Sequence, residues 1–187
     1  MIDEKGRIKV RSQKSCYLRT ALLVLMCLTT KLTAQVSVYA AGAASDLKGG
    51  PGGDYLYGGK AGVLLDGVTI RNRLVLSADV QTRYVQANGE RLVGVGIGPR
   101  IASPIQRLKL SPYAEFLVGF ARYRASTNAG SQNTTDNEWQ CNIGVSRQLN
   151  SRMDASVEYS YSQFGANNGE FNPKTYTLGV IFHLSKR

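Results

Sequence analysis

The chain is predicted to be all-β: eight antiparallel strands closed up-and-down into a transmembrane β-barrel. Three observations predict it. Apolar side chains recur every second residue from Gln35 onward, with no helical period and no apolar run of membrane-helix length. Short turns alternate with longer loops rich in Gly, Asn and Ser. Aromatic residues gather at one end of the alternating segments.

Residues 1–34 stand apart from this pattern. Lys5, Arg7, Lys9, Arg11, Lys14 and Arg19 precede an apolar run from Ala21 to Leu28, and Leu32-Thr33-Ala34 ends in a small residue. That order predicts a secretory signal peptide cut after Ala34. The apolar run falls short of the roughly 20 residues that span a bilayer. Of the 23 Lys/Arg and 13 Asp/Glu, seven and two lie in this segment, so the mature part carries 16 against 11, a net +5 instead of +10. No cluster of basic and aromatic residues resembles a nucleic-acid groove, so no nucleic acid is expected as a partner. Cys16 and Cys27 leave with the signal, and the bulky Met26 before Cys27 argues against lipoprotein cleavage. Cys141 alone remains, which rules out an intrachain disulfide, and one Cys with one His makes no zinc set. No metal and no cofactor are expected.

The mature domain, residues 35–187, divides into eight alternating segments. They are Gln35–Ala43, Tyr55–Leu65, Ile70–Val85, Arg91–Ala102, Leu108–Tyr123, Glu138–Arg147, Met153–Gln163 and Lys174–Leu184. In the seventh, Met153, Ala155, Val157, Tyr159 and Tyr161 alternate with Asp154, Ser156, Glu158, Ser160 and Ser162. In the last, Tyr176, Leu178, Val180, Phe182 and Leu184 alternate with Thr175, Thr177, Gly179, Ile181 and His183. Successive strand side chains point to opposite faces, so each segment has an apolar face and a largely polar one. Asp66-Gly67, Ser103-Pro104-Ile105 and Asn150-Ser151 read as short turns, and Gln86–Glu90 as a further short connection. Ser45–Asp54, Ser126–Asn137 and Gly165–Pro173 read as long loops. An even strand number with short turns at one end and long loops at the other is the plan of bacterial outer-membrane barrels.

Alternation alone does not say which face meets lipid. Tyr55, Tyr57, Tyr84, Phe120, Trp139, Tyr159, Tyr161 and Tyr176 all fall on the apolar face near the loop end, as an aromatic belt at headgroup level requires. The polar face carries Gly58, Gly62, Gly94, Gly96, Gly98, Gly119 and Gly144, small enough for the inside of a narrow barrel. Eight strand steps from Tyr176 to Leu184, at about 3.3 Å each and a tilt of about 40°, reach roughly 20 Å, close to the apolar band of such barrels. The apolar face is therefore read as lipid-facing, and outer-membrane lipid as the first partner.

Two stretches carry a family resemblance. Pro112-Tyr113-Ala114-Glu115-Phe116-Leu117-Val118-Gly119-Phe120 is similar to a strand of the small outer-membrane barrels, and Thr177-x-Gly179-x-x-Phe182-x-Leu184 is similar to their C-terminal assembly signal. The mature chain thus resembles the OmpA-type transmembrane domain and OmpX-like proteins. The resemblance implies the outer-membrane assembly machinery as a partner, with Thr177, Gly179, Phe182 and Leu184 as its recognition residues. In place of the family's terminal aromatic stands Leu184, followed by Ser185-Lys186-Arg187. No peptidoglycan-binding domain is expected after the barrel.

Lys60, Asp79, Arg83, Arg100, Glu115, Asp154 and Glu158 have the parity of the inner face. In a lumen this narrow they must pair, which predicts a mixed-sign network plugging the barrel. A narrow channel lined by the same groups is the alternative. A soluble lipocalin-like carrier is a third reading, set against the lack of Gly-x-Trp in the first strand, since the one Trp is Trp139. No catalytic site is expected. Glu115 and Glu158 lie on non-adjacent strands, and His183-Leu184-Ser185 lacks an acidic residue after it. Gly94-Val-Gly96-Ile-Gly98 has no helix behind it to make a nucleotide loop, and Asn133-Thr134-Thr135 is a glycosylation pattern of little weight in a bacterial chain. A structural or surface-interaction role is expected, with an extracellular ligand left undefined.

Overall fold

In the computed structural model, residues 35–47, 55–70, 73–127, 130–164 and 172–184 are described, and their strands form one sheet that closes on itself. The expected signal segment, with Cys16 and Cys27, lies outside the described residues, as do residues 48–54 and 165–171 of two expected loops. The strands are β1 (Gln35–Asp46), β2 (Tyr55–Ile70), β3 (Leu74–Ala87), β4 (Glu90–Ala102), β5 (Leu110–Thr127), β6 (Gly130–Gln148), β7 (Met153–Phe164) and β8 (Lys174–His183). Each pairs antiparallel with its chain neighbour. β1 closes the barrel on β8, from Ser37↔His183 to Asp46↔Lys174. Closure leaves no sheet edge to pair with another chain.

The period-two pattern places side chains as the alternation requires. Val38, Leu65, Val80, Val95, Ile97, Phe116, Val118, Ile143, Val157 and Leu178 point outward and are exposed. An exposed apolar wall of this extent is intolerable in water and suits hydrocarbon. The inner face has two zones. Its middle is polar, but toward the loop end Leu47, Leu56, Val85, Leu92, Tyr123 and Phe164 pack into an enclosed apolar cluster. The inner face is therefore less uniformly polar than the alternation alone suggests.

Three expected boundaries are corrected. Asp66-Gly67 is not a turn: β2 runs on to Ile70, with its register against β3 shifting between Asp66 and Val68. Gly67 marks a bulge, where a residue without a side chain lets one strand carry an extra position. The chain turns after Ile70, where Arg73 N donates to Ile70 O at 3.1 Å. Leu108, expected to open the fifth strand, lies in a 3-10 turn over Gln106–Leu108 that Lys109 ends in the left-handed region at φ 52°. Finally, Ser126–Asn137 is not a long loop, because β5 and β6 stay paired up to Thr127↔Gly130. Beyond the bilayer both faces of a hairpin meet a polar medium, so the apolar alternation that marks a strand disappears while backbone pairing continues. At the outer hairpin between β3 and β4, Asn88 (φ 47°) and Gly89 (φ 82°) make a two-residue turn.

Candidate functional site

All seven ionisable side chains expected in the lumen are on the inner face and buried. Lys60 Nζ on β2 donates to Glu158 Oε1 on β7 at 2.5 Å, across the barrel. Arg100 Nη1 lies 3.4 Å from Glu115 Oε1 on the adjacent strand β5. Arg83 reaches Glu138 on β6, Nη2 to Oε1 at 2.5 Å, and its Nη1 donates to Thr175 Oγ1 at 3.3 Å. Asp79 accepts the Tyr39 hydroxyl at 2.9 and 3.1 Å. Asp154 Oδ2 stands 3.2 Å from His183 Nε2.

Neutral groups knit these pairs together. Tyr113 donates its hydroxyl to Glu158 Oε2 at 3.0 Å, while its ring lies 3.6 Å from the Arg100 guanidinium carbon. Asn142 Nδ2 donates to Glu115 Oε2 at 2.7 Å, and Ser160 Oγ to Glu158 Oε1 at 3.0 Å. Gln81 links Tyr39 to Gln140: its Oε1 accepts from Tyr39 at 3.2 Å and its Nε2 donates to Gln140 Oε1 at 2.9 Å. Buried charges persist when paired and hydrogen-bonded. Here Lys60, Arg83 and Arg100 each meet a carboxylate and Asp79 is held by the Tyr39 hydroxyl, while Arg83 Nε has no hydrogen-bond partner among the described residues. Glu115 and Glu158 each hold a separate cation, Arg100 and Lys60 respectively.

The inner glycines admit this network. Gly62 faces Tyr39 in the β1–β2 register, and a Cβ there would stand 2.5 Å from the Tyr39 ring. Gly144 faces Tyr113 across β5–β6, where a Cβ would again stand 2.5 Å from the ring. Each phenol thus lies over its cross-strand glycine and crosses the lumen. At Gly94 a Cβ would come within 2.9 Å of Glu138 Oε2, the carboxylate that Arg83 holds. Two cavities among these described groups are small, about 10 Å³ beside Lys60, Tyr113 and Glu158 and about 30 Å³ beside Ser37, Asp154 and His183.

At the turn end, Ser37 Oγ lies 2.8 Å from His183 Nδ1, joining β1 to β8 at the seam. Ser37, His183 and Asp154 thereby form a contact chain that sequence spacing did not reveal, because its members come from three strands. Ser37 is only 1% exposed, and the adjoining space holds little more than a water. These contacts link β7, β8 and β1 across the seam.

The eight belt residues all point outward. Tyr55, Tyr57, Tyr84, Phe120 and Tyr176 are exposed, and Trp139, Tyr159 and Tyr161 are half-buried by neighbouring rings. Trp139 lies 5.7 Å from Tyr161 and 6.4 Å from Phe116, and Tyr159 lies 5.3 Å from Tyr176, centroid to centroid. Of the assembly-signal residues, Thr177 and Gly179 face inward, while Phe182 and Leu184 face outward. A Cβ at Gly179 would overlap that of Ala41, so the seam itself requires glycine there.

Tyr39, Tyr113, Glu138, Asn142 and Gln81 are among the lumen members that sequence reading did not single out. Parity placed Glu138 and Asn142 inside. Tyr39 and Tyr113 break the rule that aromatics face lipid, and only their cross-strand glycines give a signal.

A closed eight-stranded barrel with an apolar outer wall and an ion-paired interior defines an outer-membrane barrel protein. The family described as "Outer membrane protein beta-barrel domain" matches residues 20–183, and the chain belongs to it. Among solved structures, it is similar to neisserial surface protein A at 17% identity and a TM-score of 0.62, covering 79% of this chain and 96% of that one. It is also similar to Ail, the attachment invasion locus protein of Yersinia pestis (12%, 0.57, 81% and 99%). A third is the N-terminal barrel of Pseudomonas aeruginosa OprF (15%, 0.51, 81% and 100%). At these identities the likeness is one of fold. Comparison with curated proteins gives no match.

Proposed function

We propose that this outer-membrane barrel has a closed lumen and works through its surfaces, as a structural or interaction protein and neither a channel nor an enzyme. Residues 1–34 direct its export, the assembly machinery takes it up through its final strand, and lipid of the outer membrane surrounds it. One observation carries the reading. Every lumen Lys and Arg expected from the sequence is held by a carboxylate, Lys60 by Glu158, Arg83 by Glu138 and Arg100 by Glu115, while Tyr39 holds Asp79 and Tyr113 holds Glu158. A conducting pore would need these groups free to exchange partners with water and ions. A carrier of the lipocalin kind would need an apolar cavity where the ion pairs stand.

Planar-bilayer recording on the folded protein tests this. No unitary conductance is expected from the unaltered chain. Discrete openings that persist at neutral pH would overturn the closed-lumen reading and restore the channel.

A further inference from the structure

Outward-facing charge is unevenly distributed on strands β3 to β6. Arg91 faces Arg124 directly in the β4–β5 register, and Arg122 sits two residues below Arg124 on the same face. Arg122 and Arg124 are exposed and Arg91 is half-buried. Among the described residues of these strands no outward position carries Asp or Glu; Asp79, Glu90, Glu115, Asp136 and Glu138 all have inner parity. Like charges directly opposite on a sheet repel. Among the described residues no carboxylate pairs with the trio, and Arg122 Nε donates to Asn133 Oδ1 at 2.9 Å, a neutral partner that orients the guanidinium.

Directly below lies a groove of about 810 Å³, lined by Val80, Val95, Ile97, Val118, Phe120 and Trp139, among others. The register joins the two features. Phe120 is two residues from Arg122 along β5, about 7 Å at strand rise, and Val95 lies opposite Phe120. Gly96 and Gly119 face each other behind the groove and bring bare backbone to its floor. The groove thus sits on the apolar wall, at and below the aromatic level, with the three arginines where headgroups lie.

We propose that this face binds a phosphate-bearing lipid of the outer leaflet, its phosphates on Arg91, Arg122 and Arg124 and an acyl chain in the groove beside Phe120 and Trp139. Guanidinium groups bind phosphate oxygens in pairs, and an anion between Arg91 and Arg124 turns their repulsion into a shared contact. A soluble anion would use the arginines and leave the groove empty; only an amphiphile arriving sideways through the membrane uses both. The inference goes beyond the closed-lumen reading and does not depend on it.

Trp139, the single tryptophan of the chain, stands in the groove and reports on its occupant. The full chain is placed in nanodiscs of unbrominated phosphatidylcholine doped with a small fraction of phosphatidic acid brominated on its acyl chains. Trp139 quenching is expected several-fold above that from brominated diacylglycerol at the same fraction. It should fall to the diacylglycerol level in the Arg91→Gln/Arg122→Gln/Arg124→Gln variant, and stay unchanged in Arg107→Gln/Arg147→Gln at the opposite end. Each variant is checked for folding by its heat-modifiable gel shift. Should the triple variant fail that check, the single Arg124→Gln replaces it. Equal quenching by both lipids, or quenching that survives loss of the arginines, would overturn the proposal. So would abolition of the effect by millimolar inorganic phosphate, which would assign the site to a free anion.

Discussion

At the scale of the residue, the lumen rests on glycine-tyrosine pairs and on charges that neutralise each other. Gly144 is the clearest case, because the ring of Tyr113 lies where a side chain would be, and that ring in turn supports both Arg100 and Glu158. Gly144→Val forces the phenol aside and breaks its hydrogen bond. Overpacking of this kind costs about 1–3 kcal/mol, so a lower urea midpoint is expected for the folded barrel in lipid. An unchanged midpoint would mean the tyrosine has another resting place. Lys60→Met strands Glu158, a residue only 6% exposed. Removing one partner of a buried pair costs about 3–5 kcal/mol, whereas removing both charges costs little. Lys60→Met is therefore expected to destabilise strongly, and Lys60→Met with Glu158→Gln to recover most of the loss. If the double variant is as unstable as the single, packing of the lysine stem matters and charge pairing does not.

At the scale of the element, the β5–β6 hairpin separates what alternation reveals from what it hides. Within the bilayer, the faces of β2 to β8 were legible where a lipid side and a lumen side differ in polarity, whereas β1, with Tyr39 turned inward, gave no such contrast. Above it, Ser131, Asn133, Thr135 and Asn137 are polar on the outward face and Thr134 and Asp136 are polar on the inward one. The contrast vanishes although Arg122↔Thr135 and Arg124↔Asn133 remain paired. The shift at Gly67 was hidden for another reason: a bulge adds a residue without changing composition. Partners across the barrel were hidden as well. Parity gives a face and not a height, and Lys60 meets Glu158 from strands that are not paired in the sheet. A paired hairpin and a loop differ in amide exchange. From Ser131 to Asn137 alternate amides are expected to exchange slowly, because every second N–H points to β5. Uniformly fast exchange over that stretch would show that the pairing stops near the membrane.

At the scale of the whole molecule, everything turns on which side of the wall is enclosed, and adjacent residues on one strand decide it. Val157 is 55% exposed and points away from the barrel axis, and Glu158 faces the lumen beside Lys60 and Tyr113. A nitroxide needs a unique cysteine. Cys141 is itself outward and exposed, so Cys141→Ser comes first. With the label at Val157→Cys in a bilayer, collisions with oxygen, which concentrates in hydrocarbon, should exceed those with a water-soluble nickel chelate. A label at Glu158→Cys should be shielded from both reagents, since the lumen is packed, and should show the broad spectrum of an immobilised probe. The two positions are one residue apart, so depth in the membrane hardly differs between them and only the face does. A closed barrel also resists detergent until heated, so the unlabelled protein should migrate differently on gels before and after boiling. If Glu158→Cys proves the lipid-accessible site while the heat shift persists, the barrel is closed but its faces are reversed, and its ion pairs would then stand in hydrocarbon. That outcome is physically prohibitive, because several charged side chains would lie on a lipid-facing wall, where each Arg or Lys costs about 2–4 kcal/mol at the midplane and each carboxylate adds less. The same arithmetic explains why so long an alternation, with its acids and bases on one parity, folds in only one sense.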